Sequence, residues 1–146
     1  MKKILFLCTG NACRSQMAEG WAKALLAGKA EALSAGTRPG QEVDPRAVRA
    51  MAEAGVDISG QKAKHLEIFR DDAFDLVVTL CDNAHETCPA YWGKARKIHN
   101  GFDDPATVAG KGASEEAAMP HYRRVRDEIK AFVLRLPEIL LQGELK

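Results

Sequence analysis

Cys8 and Arg14 are separated by five residues, and Ser15 follows directly, in the stretch CTGNACRS at residues 8–15. A thiol, a guanidinium and a hydroxyl at that spacing, joined by small and turn-forming residues, suit the capture of a tetrahedral oxyanion and attack on it. A loop of Cys8, Thr9, Gly10, Asn11, Ala12, Cys13, Arg14 and Ser15 can curl so that successive backbone N–H groups converge on one concavity. The N-terminus of a helix opening just beyond would point there too. Arg14 adds a planar fork of donors matched to two oxygens at once. The same positive field favours the thiolate of Cys8, and Ser15 can donate a hydrogen bond to its sulfur, so Cys8 is the candidate nucleophile. The plainer alternative is a buried Cys8 ending a strand, with Arg14 on the surface.

A departing oxygen needs a proton. GFDDPA, residues 101–106, supplies Asp103 and Asp104, and Pro105 holds Asp104 in an extended or turn conformation. Taken alone, it reads equally well as an ordinary Asp-Pro turn.

LCDNAHETC places Cys81 at the end of an apolar run and Cys88 seven positions later, across a polar loop or loose helix. If Cys81 lies on the same rim as Cys8, three thiols can exchange in sequence. Closing Cys81 onto Cys88 requires their Cα atoms to come within about 7 Å, and hence a rearrangement if the segment starts helical. Zinc is a rival ligand, but four residues intervene between Cys8 and Cys13 and six between Cys81 and Cys88. Both exceed or strain the usual pair spacings, even with His85 and His99 as extra donors. In a third reading Cys81 and Cys88 are passive, and the first loop alone hydrolyses phosphate esters.

The elements that must position these groups alternate. KKILFLC reads as a buried strand; Ser15 to about Leu26 has helical spacing, with Met17, Ala18, Trp21, Ala24 and Leu25 on one face, and ends near Gly28. AEALSAG is a second strand. Asp44 and Pro45 form an N-cap and first-turn pair for the helix PRAVRAMAEA, which stops at Gly55. HLEIF gives one or two helical turns. DLVVTLC, with Leu76 to Leu80 uninterrupted, reads as a strand buried on both faces, and ARKIHNG as a weaker fourth. A last helix runs through HYRRVRDEIKAFVLRL with Val125, Ile129, Phe132, Val133 and Leu136 on one stripe. Pro120 leaves two options, a helix starting there or an earlier turn at SEEAAM with a kink. Trp92 is expected to cover the segment between Cys81 and Cys88.

Such an order implies right-handed crossovers and an α/β three-layer sandwich, a four-stranded parallel sheet flanked by helices. The loops after Cys8, Leu80 and Asn100 then share one rim, where ligands of such sheets sit. The 146 residues fit a single domain, 1–146. With 21 Lys and Arg against 20 Asp and Glu, and no run of like charge, no nucleic-acid or membrane surface is expected. The apolar ILFLC run is too short for a secretion signal. A cytoplasmic, monomeric protein is expected, whose four cysteines form no structural disulfide framework.

Taken together, CTGNACRSQMAEG, the SAG of Ser34 to Gly36, LVVTLCD, GFDDPA and RRVRDEI resemble the thioredoxin-coupled arsenate reductases, whose fold is that of the low-molecular-weight protein tyrosine phosphatases. The resemblance runs from about Ile4 to Phe132. It implies that arsenate enters the Cys8–Arg14 loop, that Cys8 attacks arsenic and that Asp104 protonates the departing oxygen. It also implies a relay: Cys81 attacks the Cys8 sulfur, arsenite leaves, and Cys88 takes over Cys81 in a disulfide that thioredoxin reduces. Residual phosphatase activity would accompany this. Ala106 stands where such phosphatases often carry an aromatic residue, which argues against bulky phosphotyrosine. Some such reductases hold potassium through residues matching Asn11, Glu19, Ser34 and an aspartate. Here Lys64 or His65 falls near the place of that aspartate, which argues against the ion. Asn11 would brace the loop and Glu19 orient Ser34; Cys13 would only pack, and His85 and Glu86 would face solvent. No tightly bound cofactor or metal is expected.

Overall fold

A computed structural model of the chain describes residues 1–40 and 42–144. Four strands, β1 (Lys2–Cys8), β2 (Ala30–Gly36), β3 (Leu76–Thr79) and β4 (Arg96–His99), form one parallel sheet in the order β2-β1-β3-β4. Among the described residues five α-helices accompany them: α1 (Arg14–Leu25), α2 (Pro45–Glu53), α3 (Asp82–Thr87), α4 (Pro105–Ala109) and α5 (Glu115–Glu144). Short 3-10 turns lie at Leu66–Phe69 and Ala90–Trp92.

The central strands behave as their composition demands. Ile4, Leu5, Phe6 and Leu7 of β1 and Leu76, Val77 and Val78 of β3 are wholly buried although their side chains alternate between the two faces, so both faces are covered. Fully burying each such side chain contributes about 1.5–3 kcal/mol. In β4, an edge strand, Lys97 and His99 are exposed while Arg96 and Ile98 are half-buried.

α1 packs on β1 and β2 and is itself covered by α5. Its core face differs from the expected stripe in one respect: Ala22 and Leu26 are buried, whereas Ala24 faces solvent. α5 presents Val125, Ile129, Phe132, Val133 and Leu136 inward as its periodicity requires, with Ala118, Met119 and Tyr122 extending the stripe toward its start. The helix begins before Pro120, not at it. Ser114 opens it, its Oγ accepting from the Ala117 N–H at 3.2 Å. Pro120 falls early in the helix and Pro137 lies within it, so each removes one backbone donor without ending it.

Trp92 is buried against the chain that enters β3. Its indole N–H donates to the Phe69 carbonyl at 2.8 Å and its ring meets Phe74 edge-to-face, which fastens the chain after Cys88 to the entry of β3. Among the described residues no helix is long and apolar enough to cross a membrane.

Candidate active site

The register of β1 and β3 pairs Leu7 with Thr79. Cys8 is therefore level with Leu80, and Cys81 stands one residue beyond it on the same rim.

The chain after β2 shapes the loop after β1. The carbonyls of Cys8, Thr9, Gly10 and Ala12 accept hydrogen bonds from the N–H groups of Thr37, Arg38, Gly40 and Asp44, at 3.1, 2.9, 3.0 and 2.8 Å. Because a peptide's N–H points opposite its C=O, carbonyls held outward turn the following N–H groups inward. The Asn11 N–H shows the result, lying 3.3 Å from the Cys8 sulfur. Asn11 is in the left-handed region at φ 50°, which asparagine tolerates better than most residues. Gly36 makes the approach possible, since a Cβ there would stand 2.5 Å from the Thr9 oxygen.

Cys8 is buried at the start of this cup, its Sγ 2.8 Å from Ser15 Oγ. A network behind the loop holds both. Asn11 Nδ2 donates to Ser15 Oγ at 2.8 Å and to Ser34 Oγ at 3.0 Å, and Ser34 donates to Glu19 Oε1 at 2.6 Å. Gln16, also buried, donates to the Asn11 backbone and side-chain oxygens, both at 2.9 Å. Asn11 thus braces the loop, and Glu19 orients Ser34.

The donor set does not fit a cation at the Asn11–Ser34–Glu19 corner. Asn11 turns its NH2 toward Ser34, its Oδ1 already accepts from the Lys64 N–H, and the Lys64 ammonium lies 3.9 Å from Glu19 Oε1. Lys64, not His65, fills the place. His65 is exposed and its Nδ1 caps the turn at Leu66–Phe69.

Arg14 closes the cup from the other side, Nη1 donating to the Phe102 carbonyl at 3.1 Å with Nη2 3.9 Å from Asp104 Oδ2. Asp104 is extended and caps α4 through the Ala106 N–H, as its Pro105 requires. Its neighbour Asp103 turns away to Arg124 at 3.0 Å. A cavity of about 120 Å³ results, with Cys8, Arg14, Asp44, Asp104 and Ala106 in its lining. A larger depression of about 550 Å³ beside α2 contains no thiol. Cys13 also lines the small cavity, but burial, and then the carboxylates of Asp44 and Asp104, push its thiol well above the ordinary cysteine range.

Cys81 is the N-cap of α3, its Sγ accepting from the Ala84 N–H at 3.4 Å. The Thr9 hydroxyl lies 3.2 Å from that sulfur and so joins the loop to the second thiol. Cys88, at the far end of α3, is half-buried, and desolvation raises its pKa while Lys97 opposes the rise. All four cysteines are free thiols.

Several contributors escape a linear reading. Gln16 sits on a helix whose spacing shows only a core face. Asp44 reads as a helix cap and does cap α2, yet its N–H also holds the loop and its Oδ2 accepts from Tyr122. Thr37 and Asn83 carry no motif at all. The Gly of SAG was a visible signal, because a glycine closing a strand invites a close backbone approach.

The chain is 48% identical over 128 residues to an arsenate reductase of Halalkalibacterium halodurans, covering 88% of this chain and 89% of that protein. With an arsenate reductase of Bacillus subtilis the identity is 47% over 128 residues, 88% and 89% of the two chains. The solved structure of an arsenate reductase in its phosphate-binding state superimposes with a TM-score of 0.77 at 35% identity, covering 96% of this chain and 99% of that one. The profile of the low molecular weight phosphotyrosine protein phosphatases matches residues 3–142, and the chain belongs to that family.

Proposed function

We propose that this protein reduces arsenate to arsenite by a relay of three thiols, Cys8, Cys81 and Cys88, with thioredoxin as the final reductant. One observation carries the reading: a second thiol, Cys81, is joined to the oxyanion loop through the Thr9 hydroxyl at 3.2 Å. Ester hydrolysis has no use for it. The arsenate reductases to which the chain is similar support the same substrate.

The inward N–H groups and Arg14 hold three oxygens of arsenate, and the Cys8 thiolate attacks arsenic. One As–O bond breaks as the S–As bond forms, and Asp104 supplies the proton on which that oxygen leaves as water. Cys81 then attacks the Cys8 sulfur. The S–S bond forms, the S–As bond breaks, and its electron pair stays on arsenic, which departs as arsenite. Cys88 attacks Cys81, releases the Cys8 thiolate, and leaves a Cys81–Cys88 disulfide for an external dithiol to reduce. An α-helix rises 1.5 Å per residue, so Cys81 and Cys88 start roughly 10 Å apart and α3 must unwind for this bond to form.

Phosphorus bound to Cys8 has no accessible reduced product, so the same loop would hydrolyse a phosphate ester with Cys8, Arg14 and Asp104 alone. Family membership favours this as an accompanying activity.

The test is thioredoxin-coupled NADPH oxidation with arsenate. Wild type turns over; Cys81→Ser and Cys88→Ser do not, while both keep any aryl-phosphate hydrolysis. Serine variants that retain wild-type arsenate turnover would sink the relay.

A further inference from the structure

The relay asks opposite things of the two ends of α3. Its first turn has to present Cys81 at the oxyanion loop, and its last has to release Cys88. The side-chain anchors are distributed accordingly. Asn83 Oδ1 accepts a 2.9 Å hydrogen bond from Thr37 Oγ1 and a longer one, 3.5 Å, from Thr9 Oγ1. Asp82 Oδ1 lies 3.4 Å from His99 Nε2, and the other ring nitrogen of His99 is 2.8 Å from Thr79 Oγ1. The His85 ring rests on that of His99, centroids 4.5 Å apart. The first turn is thus gripped from both sides, by the chain leaving β2 and by the end of β4. At the other end, among the described residues, the Cys88 sulfur is near its neighbour's carbonyl, Pro89 O, at 3.8 Å, and the chain is next fastened at Tyr91, whose hydroxyl donates to Glu67 Oε1 at 2.5 Å, and at Trp92.

Thr37 is placed to register the two halves of the site against each other. Its backbone N–H holds the Cys8 carbonyl at 3.1 Å while its hydroxyl holds Asn83. Resting on the reductase reading above, we propose that Thr37 and Asn83 are positioning residues for thiol transfer, pinning the first turn of α3 to the oxyanion loop while the turn carrying Cys88 unwinds. In the step they serve, Cys81 sulfur bonds to Cys8 sulfur as the S–As bond breaks with its electron pair left on arsenic. Thr37 and Asn83 exchange neither proton nor electron. They fix where the attacking sulfur starts, and the rate of an in-line displacement depends steeply on that placement.

The test is a single turnover of the full-length, fully reduced protein mixed with arsenate without thioredoxin. Released arsenite and remaining thiols are measured over time. Thr37→Val removes the hydroxyl and keeps the shape; Thr37→Ser restores the hydroxyl. Loss of one such hydrogen bond should slow arsenite release about five- to tenfold in Thr37→Val, with Thr37→Ser near wild type. Asn83→Ala also loses the longer bond from Thr9, so it should be at least as slow as Thr37→Val, and the double variant should be no slower than Asn83→Ala, since the Thr37 hydroxyl then has no partner left to lose. The arsenate concentration that protects Cys8 from alkylation should be the same in all. Equal release rates in wild type and Thr37→Val overturn the positioning role. A Thr37→Ser as slow as the valine variant, or weaker arsenate protection in Thr37→Val, overturns it too, because the effect then belongs to the loop's own fold. Wild type that releases no arsenite and forms no Cys8–Cys81 disulfide overturns the reductase reading and this one with it.

Discussion

The Lys64 ammonium stands 3.9 Å from Glu19 Oε1, at the base of a hydrogen-bonded chain that passes through Ser34, Asn11 and Ser15 to the Cys8 sulfur. The Glu19 carboxylate is 4% exposed, and Lys23, at 2.6 Å, supplies a second positive charge. A buried carboxylate needs such compensation, and here the chain provides it from its own side chains. Arsenate turnover should therefore be the same in potassium and sodium salts at equal ionic strength. Lys64→Ala should lower turnover and make it respond to potassium; steady-state rates across a potassium series check both.

Gly36 touches the loop it does not belong to. A methyl group there would meet the Thr9 oxygen at 2.5 Å and the Asn11 nitrogen at 3.0 Å, backbone atoms that move only with the loop. Gly36→Ala should cost about 1–3 kcal/mol of stability from overpacking. A displacement of the loop approaching 1 Å should lower kcat/KM for arsenate on the order of 10²-fold. Denaturant titration and steady-state kinetics on one preparation separate the two effects.

Cys13 lines the cavity but is held as a thiol by burial and by Asp44 and Asp104. Iodoacetamide at neutral pH should label Cys8 of the folded protein and spare Cys13, and Cys13→Ala should keep arsenate turnover close to wild type. Peptide mapping by mass spectrometry reads the first outcome. Preferential labelling of Cys13 would contradict it.

Cys88 has its pKa raised by desolvation, against the pull of Lys97. Only the thiolate attacks, so its fraction at neutral pH is below that of an exposed cysteine. Transfer of the disulfide from Cys8–Cys81 to Cys81–Cys88 should quicken about tenfold per pH unit until the thiol titrates. Lys97→Met removes the charge that lowers the pKa, raises it further, and should slow transfer at neutral pH while the two rates converge at high pH. Rapid acid quench followed by disulfide mapping gives the rate at each pH.

Much of the fold was legible along the chain. β1 and β2 fall on the runs KKILFLC and AEALSAG that mark them, and the α5 stripe repeats at the helical period. Less visible was anything set by neighbours distant in sequence. Pro120 leaves the start of α5 undecided because proline is tolerated near a helix N-terminus, and packing of Ala118, Met119 and Tyr122 carries the helix past it. The contacts of Trp92 with Phe69 and Phe74 were not legible either, because they join residues about twenty positions apart. α4 fell within what reads as a turn because five residues hold too little periodicity to show a helix.

The sequence by itself determined the chemistry available: a thiol and an arginine bracketing a glycine-containing loop, an aspartate fixed by the proline after it, and two further thiols. These are local properties of residue type and spacing. Tertiary structure alone decided which groups meet. It set Cys81 beside Thr9, turned the loop's carbonyls onto Thr37, Arg38, Gly40 and Asp44, brought Lys64 to Glu19, and locked Thr37 to Asn83. Those pairings join strands and loops tens of residues apart. Their geometry follows from sheet order and register, which no short window of sequence contains.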